Sequence, residues 1–164
     1  MATKSTYAQQ LTAKQKIKNQ YGKLTETQFR LTYEKANREK GDTVENMIGL
    51  LESRLDSAVY RLKLAPTINA ARQLIVHKHI TVNGKKVNIP SYRLSVGDEI
   101  EIIGRMRDSD ITQAAIVAND RDIPDYFEVD SKKLKGKYTR IPKFEDVPYP
   151  EQMEPNLVIE FYSR

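Results

Sequence analysis

Apolar positions in the first fifty residues recur at helical spacing. Tyr7, Leu11, Ile17 and Tyr21 fall near one face of a helix, Lys14, Lys16 and Lys18 lie mostly off it, and Gly22 stops it. Thr25-Glu26-Thr27-Gln28 has capping-box spacing, in which the threonine oxygen takes an orphan amide and the glutamine reaches back. Phe29, Tyr33 and Ala36 mark the face of a second helix, with Gly41 as its C′ residue. Asp42-Thr43-Val44-Glu45 opens a third, whose buried side is Met47, Ile48, Leu50, Leu51 and Leu55.

From Glu52 the grammar changes. A helix around Leu55–Leu62 buries Leu55, Val59 and Leu62. Pro66 separates it from a second short helix, capped by Thr67, with Ile68, Ala71, Leu74 and Ile75 inward. Then the period drops to two. Ile80-Thr81-Val82 and Lys85-Lys86-Val87 flank Asn83-Gly84, a hairpin signal because both turn residues tolerate positive φ. Val96-Gly97-Asp98 turns into the alternating Glu99-Ile100-Glu101-Ile102. Beyond Gly104, Asp108 to Ala118 predicts a helix with Ile111, Ala114, Ala115 and Val117 apolar. Phe127-Glu128-Val129 and Gly136-Lys137-Tyr138-Thr139-Arg140 read as strands that extend the sheet. Pro142, Pro148, Pro150 and Pro155 mark an extended connection, and Asn156 to Tyr162 is apolar enough to dock against the body. The pattern is α+β: helices first, then two helices and a small antiparallel sheet.

The chain is long enough for one sizeable domain or two small ones, and at 39% hydrophobic residues it has the material for a core. The distribution of charge says more than the net of +5. Residues 1–107 hold 19 Lys/Arg against 10 Asp/Glu, whereas residues 108–164 hold 8 against 12. Between Ser53 and Arg93 there are eight basic residues and one acid, Asp56, which makes the centre of the chain a candidate phosphate footprint. The absence of Cys excludes disulfides and cysteine-ligated zinc. No apolar run approaches transmembrane length, and the start at Met1-Ala2-Thr3-Lys4-Ser5 lacks the apolar stretch of a secretory signal, so an intracellular protein without membrane contact is expected.

The segment Arg54–Ile102 carries the candidate chemistry. Arg54 and Arg61 are seven apart and project from one face of the first helix; Arg72 and Gln73 sit on the second; Lys78, Asn83, Lys85, Lys86 and Arg93 follow. Guanidinium and ammonium groups there would meet phosphates, while Gln73 and Asn83 offer hydrogen bonds. Tyr60 and Tyr92 serve either the core or base stacking. Lys14, Lys16, Lys18, Arg30 and Arg38 supply a second basic surface on the early helices.

This segment resembles the S-four RNA-binding domain, a helix–turn–helix and hairpin module. The flanks resemble its host, the S-four family of small-subunit ribosomal proteins. The resemblance is carried by Leu11–Lys16, Tyr21-Gly22, Gln28-Phe29-Arg30, Glu45-Asn46, Leu50–Asp56, Asn88–Arg93 and the terminal Val158-Ile159-Glu160-Phe161-Tyr162-Ser163-Arg164. It implies a helical domain over 1–51, to which 145–164 returns, with the module inserted at 52–144. It also implies binding of small-subunit rRNA at a helix junction of the 5′ domain, where assembly is nucleated. A neighbouring ribosomal protein S-five, at an interface linked to decoding accuracy, and the path by which mRNA enters the subunit are further expected surroundings. Location would be the small subunit, cytoplasmic or organellar, with no cofactor.

Three departures from the family pattern stand out. Its N-terminal extension, with a Pro-Gly-Gln-His-Gly motif, has no counterpart, so a shortened form is expected. Its basic pair before Ala-Arg-Gln is replaced in Thr67-Ile68-Asn69-Ala70-Ala71, and its His-Gly-His by His77-Lys78-His79. Some pseudouridine synthases carry Arg-Leu-Asp with a catalytic Asp, but Arg54-Leu55-Asp56 opens the module here, and Asp56 is expected to pair with a neighbouring arginine. His77 and His79 are too few for a metal site, and no catalytic constellation appears. The second functional reading is a free-standing S-four-type module acting on ribosomal particles.

Overall fold

The computed structural model describes residues 6–22, 24–130, 132 and 134–163. Residues Met1–Ser5, read above for the absence of a signal segment, and Arg164 of the terminal motif lie outside these. The class is α+β, with seven helices and one five-stranded antiparallel sheet among the described residues. The chain divides into two compact units: residues 1–51 with 143–164, and residues 52–142.

The first unit is built from α1 (Thr6–Asn19), α2 (Glu26–Arg38), most of α3 (Thr43–Glu52) and α7 (Pro155–Tyr162). The capping box forms: Thr25 Oγ1 accepts from the Gln28 amide at 3.1 Å, and Gln28 Oε1 accepts from the Thr25 amide at 3.0 Å. Asp42 Oδ1 accepts from the amides of Val44 (2.8 Å) and Glu45 (3.3 Å) to start α3. Pro155 sits in the first turn of α7, where its missing N–H costs nothing. Ile17, Tyr21, Phe29, Met47, Leu51 and Val158 fill the core. The buried stripe of α1 is Gln10, Ala13, Lys14 and Ile17, and Tyr7 is 50% exposed. Lys14 is therefore on the inward face and not off it, because Glu26 lies there to receive its ammonium at 2.7 Å.

The second unit holds α4 (Leu55–Arg61), α5 (Ile68–Val76) and strands β1 (Ile80–Val82), β2 (Lys85–Lys86), β3 (Glu99–Ile102), β4 (Phe127–Asp130) and β5 (Lys135–Tyr138). Strand order is β2-β1-β3-β5-β4. Ile80 pairs with Ile102 and Val82 with Ile100, so four aliphatic side chains from two strands meet the helices on one face. Asn83 and Gly84 take φ of 52° and 83° in the hairpin. Gly136 lies where a Cβ would come within 2.4 Å of Leu62 Cδ2, so any larger residue there would force the Leu62 side chain to shift.

After β3 the prediction of a helix over 108–118 changes in detail. A 3-10 turn spans Gly104–Asp108, Ser109 caps with its hydroxyl accepting from the Thr112 amide at 3.2 Å, and α6 runs Asp110–Val117. Thr112 and Ala115 face inward, while Ile111 and Val117 are 61% and 72% exposed. No described helix is long and apolar enough to cross a membrane.

Candidate nucleic-acid interface

The α4–α5 pair is organised around one carboxylate. Asp56 is fully buried. Its Oδ1 accepts from Arg54 Nε at 3.1 Å and its Oδ2 from Arg54 Nη2 at 3.1 Å and Arg72 Nη1 at 2.8 Å. One negative charge between two guanidiniums leaves the cluster net positive. It also fixes the orientation of both planar forks, so that less ordering entropy remains to be lost on binding. The Arg54 side chain is 11% exposed and that of Arg72 is 27% exposed, so Arg72 offers the outward donors.

The chain then lays a third arginine alongside. The amide of Leu55 donates to the Tyr92 carbonyl (2.8 Å), that of Asp56 to Pro90 (3.1 Å) and that of Leu94 to Ser53 (2.8 Å). This stitching makes an antiparallel bridge between Arg54 and Arg93, and the Arg93 side chain is exposed. On the sheet, Lys85 and Lys86 are exposed on β2, an edge strand. Lys78 follows α5 at φ +64° and is exposed, as is Gln73 one turn earlier. Among the described residues Lys78, Lys85, Lys86 and Arg93 have no acidic partner.

Other sequence candidates are committed inside the protein. Arg61 does not share an outward face with Arg54: it is 8% exposed, and its Nε and Nη2 reach Glu52 at 3.0 and 3.1 Å. Tyr126 adds a hydroxyl to the same carboxylate at 2.6 Å. A buried guanidinium needs such a partner, which outcompetes an external phosphate. Asn83 is likewise occupied, with Oδ1 accepting from the Glu99 amide at 2.9 Å and Nδ2 donating to Asp98 Oδ1 at 3.0 Å. It fastens the hairpin tip to the turn before β3.

In the helical unit Lys14 is buried, with its ammonium 4.7 Å from the Phe161 ring centroid and bonded to Glu26. Lys18 lies 3.5 Å from the same carboxylate, and Tyr162 donates to it at 2.7 Å. Burial works against ionising Glu26, but these hydrogen bonds and charges outweigh it and bring its pKa below 4.5. Lys16 reaches the Gln152 carbonyl at 2.8 Å. Arg30 is 53% exposed and 3.8 Å from Glu34, and Arg38 is exposed at the end of α2. Arg30 and Arg38 are the members of this group presented outward.

Two residues escaped the sequence reading. Arg105 lies just beyond the motif, exposed on the 3-10 turn, and the Ile103 amide bonds the His79 carbonyl at 2.8 Å to hold that turn beside the end of α5. Arg121, in the acidic tail, stacks on Tyr60 with 3.8 Å from guanidinium carbon to ring centroid and donates to the carbonyls of Tyr60 and Ala65. Burial lowers its pKa, and it covers the Tyr60 ring that base stacking would need. The basic balance of residues 1–107 was the signal that could have found Arg105; nothing local marked Arg121.

Comparison with known proteins gives a consistent result across the chain. Residues 53–100 match the family model of the S4 domain, and residues 2–52 match that of the ribosomal protein S4/S9 N-terminal domain. The small ribosomal subunit protein uS4 of Paramagnetospirillum magneticum is 59% identical over 160 residues, which is 98% of this chain and 78% of that relative. The chain belongs to the uS4 family of ribosomal proteins. The uS4 proteins of Brucella ovis and Brucella melitensis are each 57% identical over the same lengths. Within this uS4 chain the S4-domain match runs from before α4 into the start of β3, and α6, β4 and β5 lie beyond it. Family membership makes it a ribosomal protein and not an enzyme, and the Arg54-Leu55-Asp56 tripeptide is accounted for by the ion pairs of Asp56.

Proposed function

We propose that this chain is a structural constituent of the small ribosomal subunit that holds rRNA mainly through the exposed cations of its second unit. Arg72, Lys78, Lys85, Lys86 and Arg93 form the principal phosphate-binding set, with Gln73 as a hydrogen-bonding member and Arg105 added from the structure. Arg30 and Arg38 supply further contacts from the helical unit. Arg54 acts by orienting Arg72 through Asp56. The observation that carries this reading is the identity with uS4 proteins across nearly the whole chain, inside and outside the S4 domain. The match over residues 2–52 favours a built-in ribosomal component over a free-standing module.

In finer detail, the site bound is a helix junction of the 5′ domain of small-subunit rRNA, and binding there nucleates assembly. Ribosomal protein S-five is the neighbouring protein, with a shared effect on decoding accuracy, near the path taken by mRNA into the subunit. Phosphate neutralisation supplies most of the affinity, and the shape of the folded junction supplies selectivity.

A salt titration tests this. Binding to a 5′-domain rRNA fragment that engages about six phosphates should give a slope of log K against log salt of about −4 to −5. The fragment should stay tighter than an unrelated structured RNA as salt rises. Equal affinity for both RNAs at every salt concentration would reduce the chain to a generic basic module.

A further inference from the structure

We propose that the cleft between α5, the 3-10 turn and α6 receives one unpaired RNA base. The proposal rests on the RNA-binding reading and goes beyond it by naming the part of the RNA that enters and the place where it enters.

The cleft is a cavity of about 280 Å³. That is smaller than the pockets that enclose drug-sized ligands and suits a single ring system. Its walls are aliphatic: Ala70 and Leu74 from α5, Ile111 from α6 and Met106 from the turn. Methionine adapts its shape to a flat ring, and Ile111 is 61% exposed beside the opening. The polar lining is the Gln73 amide, the imidazoles of His77 and His79, whose rings stand 6.4 Å apart at 78°, and Thr112, whose hydroxyl already accepts from Ser109 Oγ at 2.9 Å. An amide and two imidazoles supply both donors and acceptors, which is what the edge of a nucleobase needs. The exposed cations beside the opening, Lys78 and Arg105, suit a phosphate-bearing occupant better than an apolar protein side chain.

Charge orients the strand. Lys78 stands between the two histidines, and Arg105 precedes Met106; both are exposed. Asp108, which ends the 3-10 turn, and Asp110, which opens α6, are also exposed and repel phosphate. The ribose-phosphate chain therefore passes over the end of α5, and the base points from there toward α6.

The test is a scan of single abasic sites at the unpaired positions of the 5′-domain rRNA fragment, read with the full chain. At one position the wild type should lose about tenfold in affinity, the low end of what a base–aromatic stack gives because the walls here are aliphatic. Ala70→Leu, which fills the cavity from the helix surface, should bind the intact fragment about tenfold more weakly with the salt slope unchanged. It should also lose nothing further at the abasic position. His77→Ala, at an exposed site that the fold does not depend on, should weaken the intact fragment severalfold and show a reduced abasic effect. If the wild type binds with its normal salt slope but no abasic position matters, the base-receiving cleft is wrong and the phosphate-binding reading stands. An apolar segment of a partner protein would then be the occupant to consider. If the wild type shows no salt-dependent binding at all, both readings fall.

Discussion

At position 78 the chain keeps a lysine at φ +64°, where a Cβ crowds the backbone and a non-glycine residue is strained by roughly 1 kcal/mol. Lys78 is exposed, so its charge is placed where the proposed RNA contact can use it. Lys78→Gly should raise stability in urea by up to about 1 kcal/mol and shift the salt slope by about one toward zero. Equal RNA affinity for the variant would remove Lys78 from the interface. Asp56 is the opposite case, a residue that matters by being hidden. Asp56→Asn leaves two guanidiniums facing a neutral amide and should cost about 3 kcal/mol in urea unfolding, the lower end for a broken buried pair because Arg72 stays partly hydrated. The pairing of Asp56 with an arginine was legible, since the partner is two residues away. The commitments of Arg61 and Lys14 were not. Tyr126, which completes the Arg61 site, lies 74 residues after Glu52, and periodicity places a lone charge outside by default.

Helices and hairpins were legible where a local device announces them: the Thr25 box, the Thr67 cap, Asn83-Gly84. What the sequence lacked was the order of strands. β5 lies between β3 and β4, so Ile100 pairs with Gly136 across a connection that contains α6. No periodicity encodes a pairing at that separation. The same strand bears the strictest steric requirement in the sheet. Gly136→Ala would set a methyl against Leu62, itself 3% exposed, although its side chain also borders a cavity of about 250 Å³. A loss of about 1–3 kcal/mol is expected in thermal or urea unfolding, the range for an overpacked core. An unchanged midpoint would mean that α4 yields more easily than its packing suggests. The register of α1 was misread for a related reason. Its inward stripe includes Gln10 and Lys14, and hydrophobicity alone cannot place polar residues that are buried because they have partners.

The helical unit is held by a hub that joins three helices at one carboxylate. Glu26 of α2 receives Lys14 and Lys18 from α1 and Tyr162 from α7. Because the folded protein ionises Glu26 more readily than the unfolded chain does, this contribution is complete above pH 4.5 and fades as pH falls through the lower folded value. Urea midpoints followed downward from pH 6 should therefore fall faster for the wild type than for Glu26→Gln, and the two should converge in acid. Parallel curves would show that the hub is not proton-linked. The two-unit organisation also governs how the molecule is made. A polypeptide emerges from its N-terminus, yet α1 has its most extensive packing with α7, the last helix in the chain. The unit spanning residues 52–142 is contiguous and closes on itself without waiting for either flank. If each unit folds as its residues leave the ribosome, the middle of the chain would mature before its beginning, with the five-stranded sheet finished while the opening helices still lack their partner.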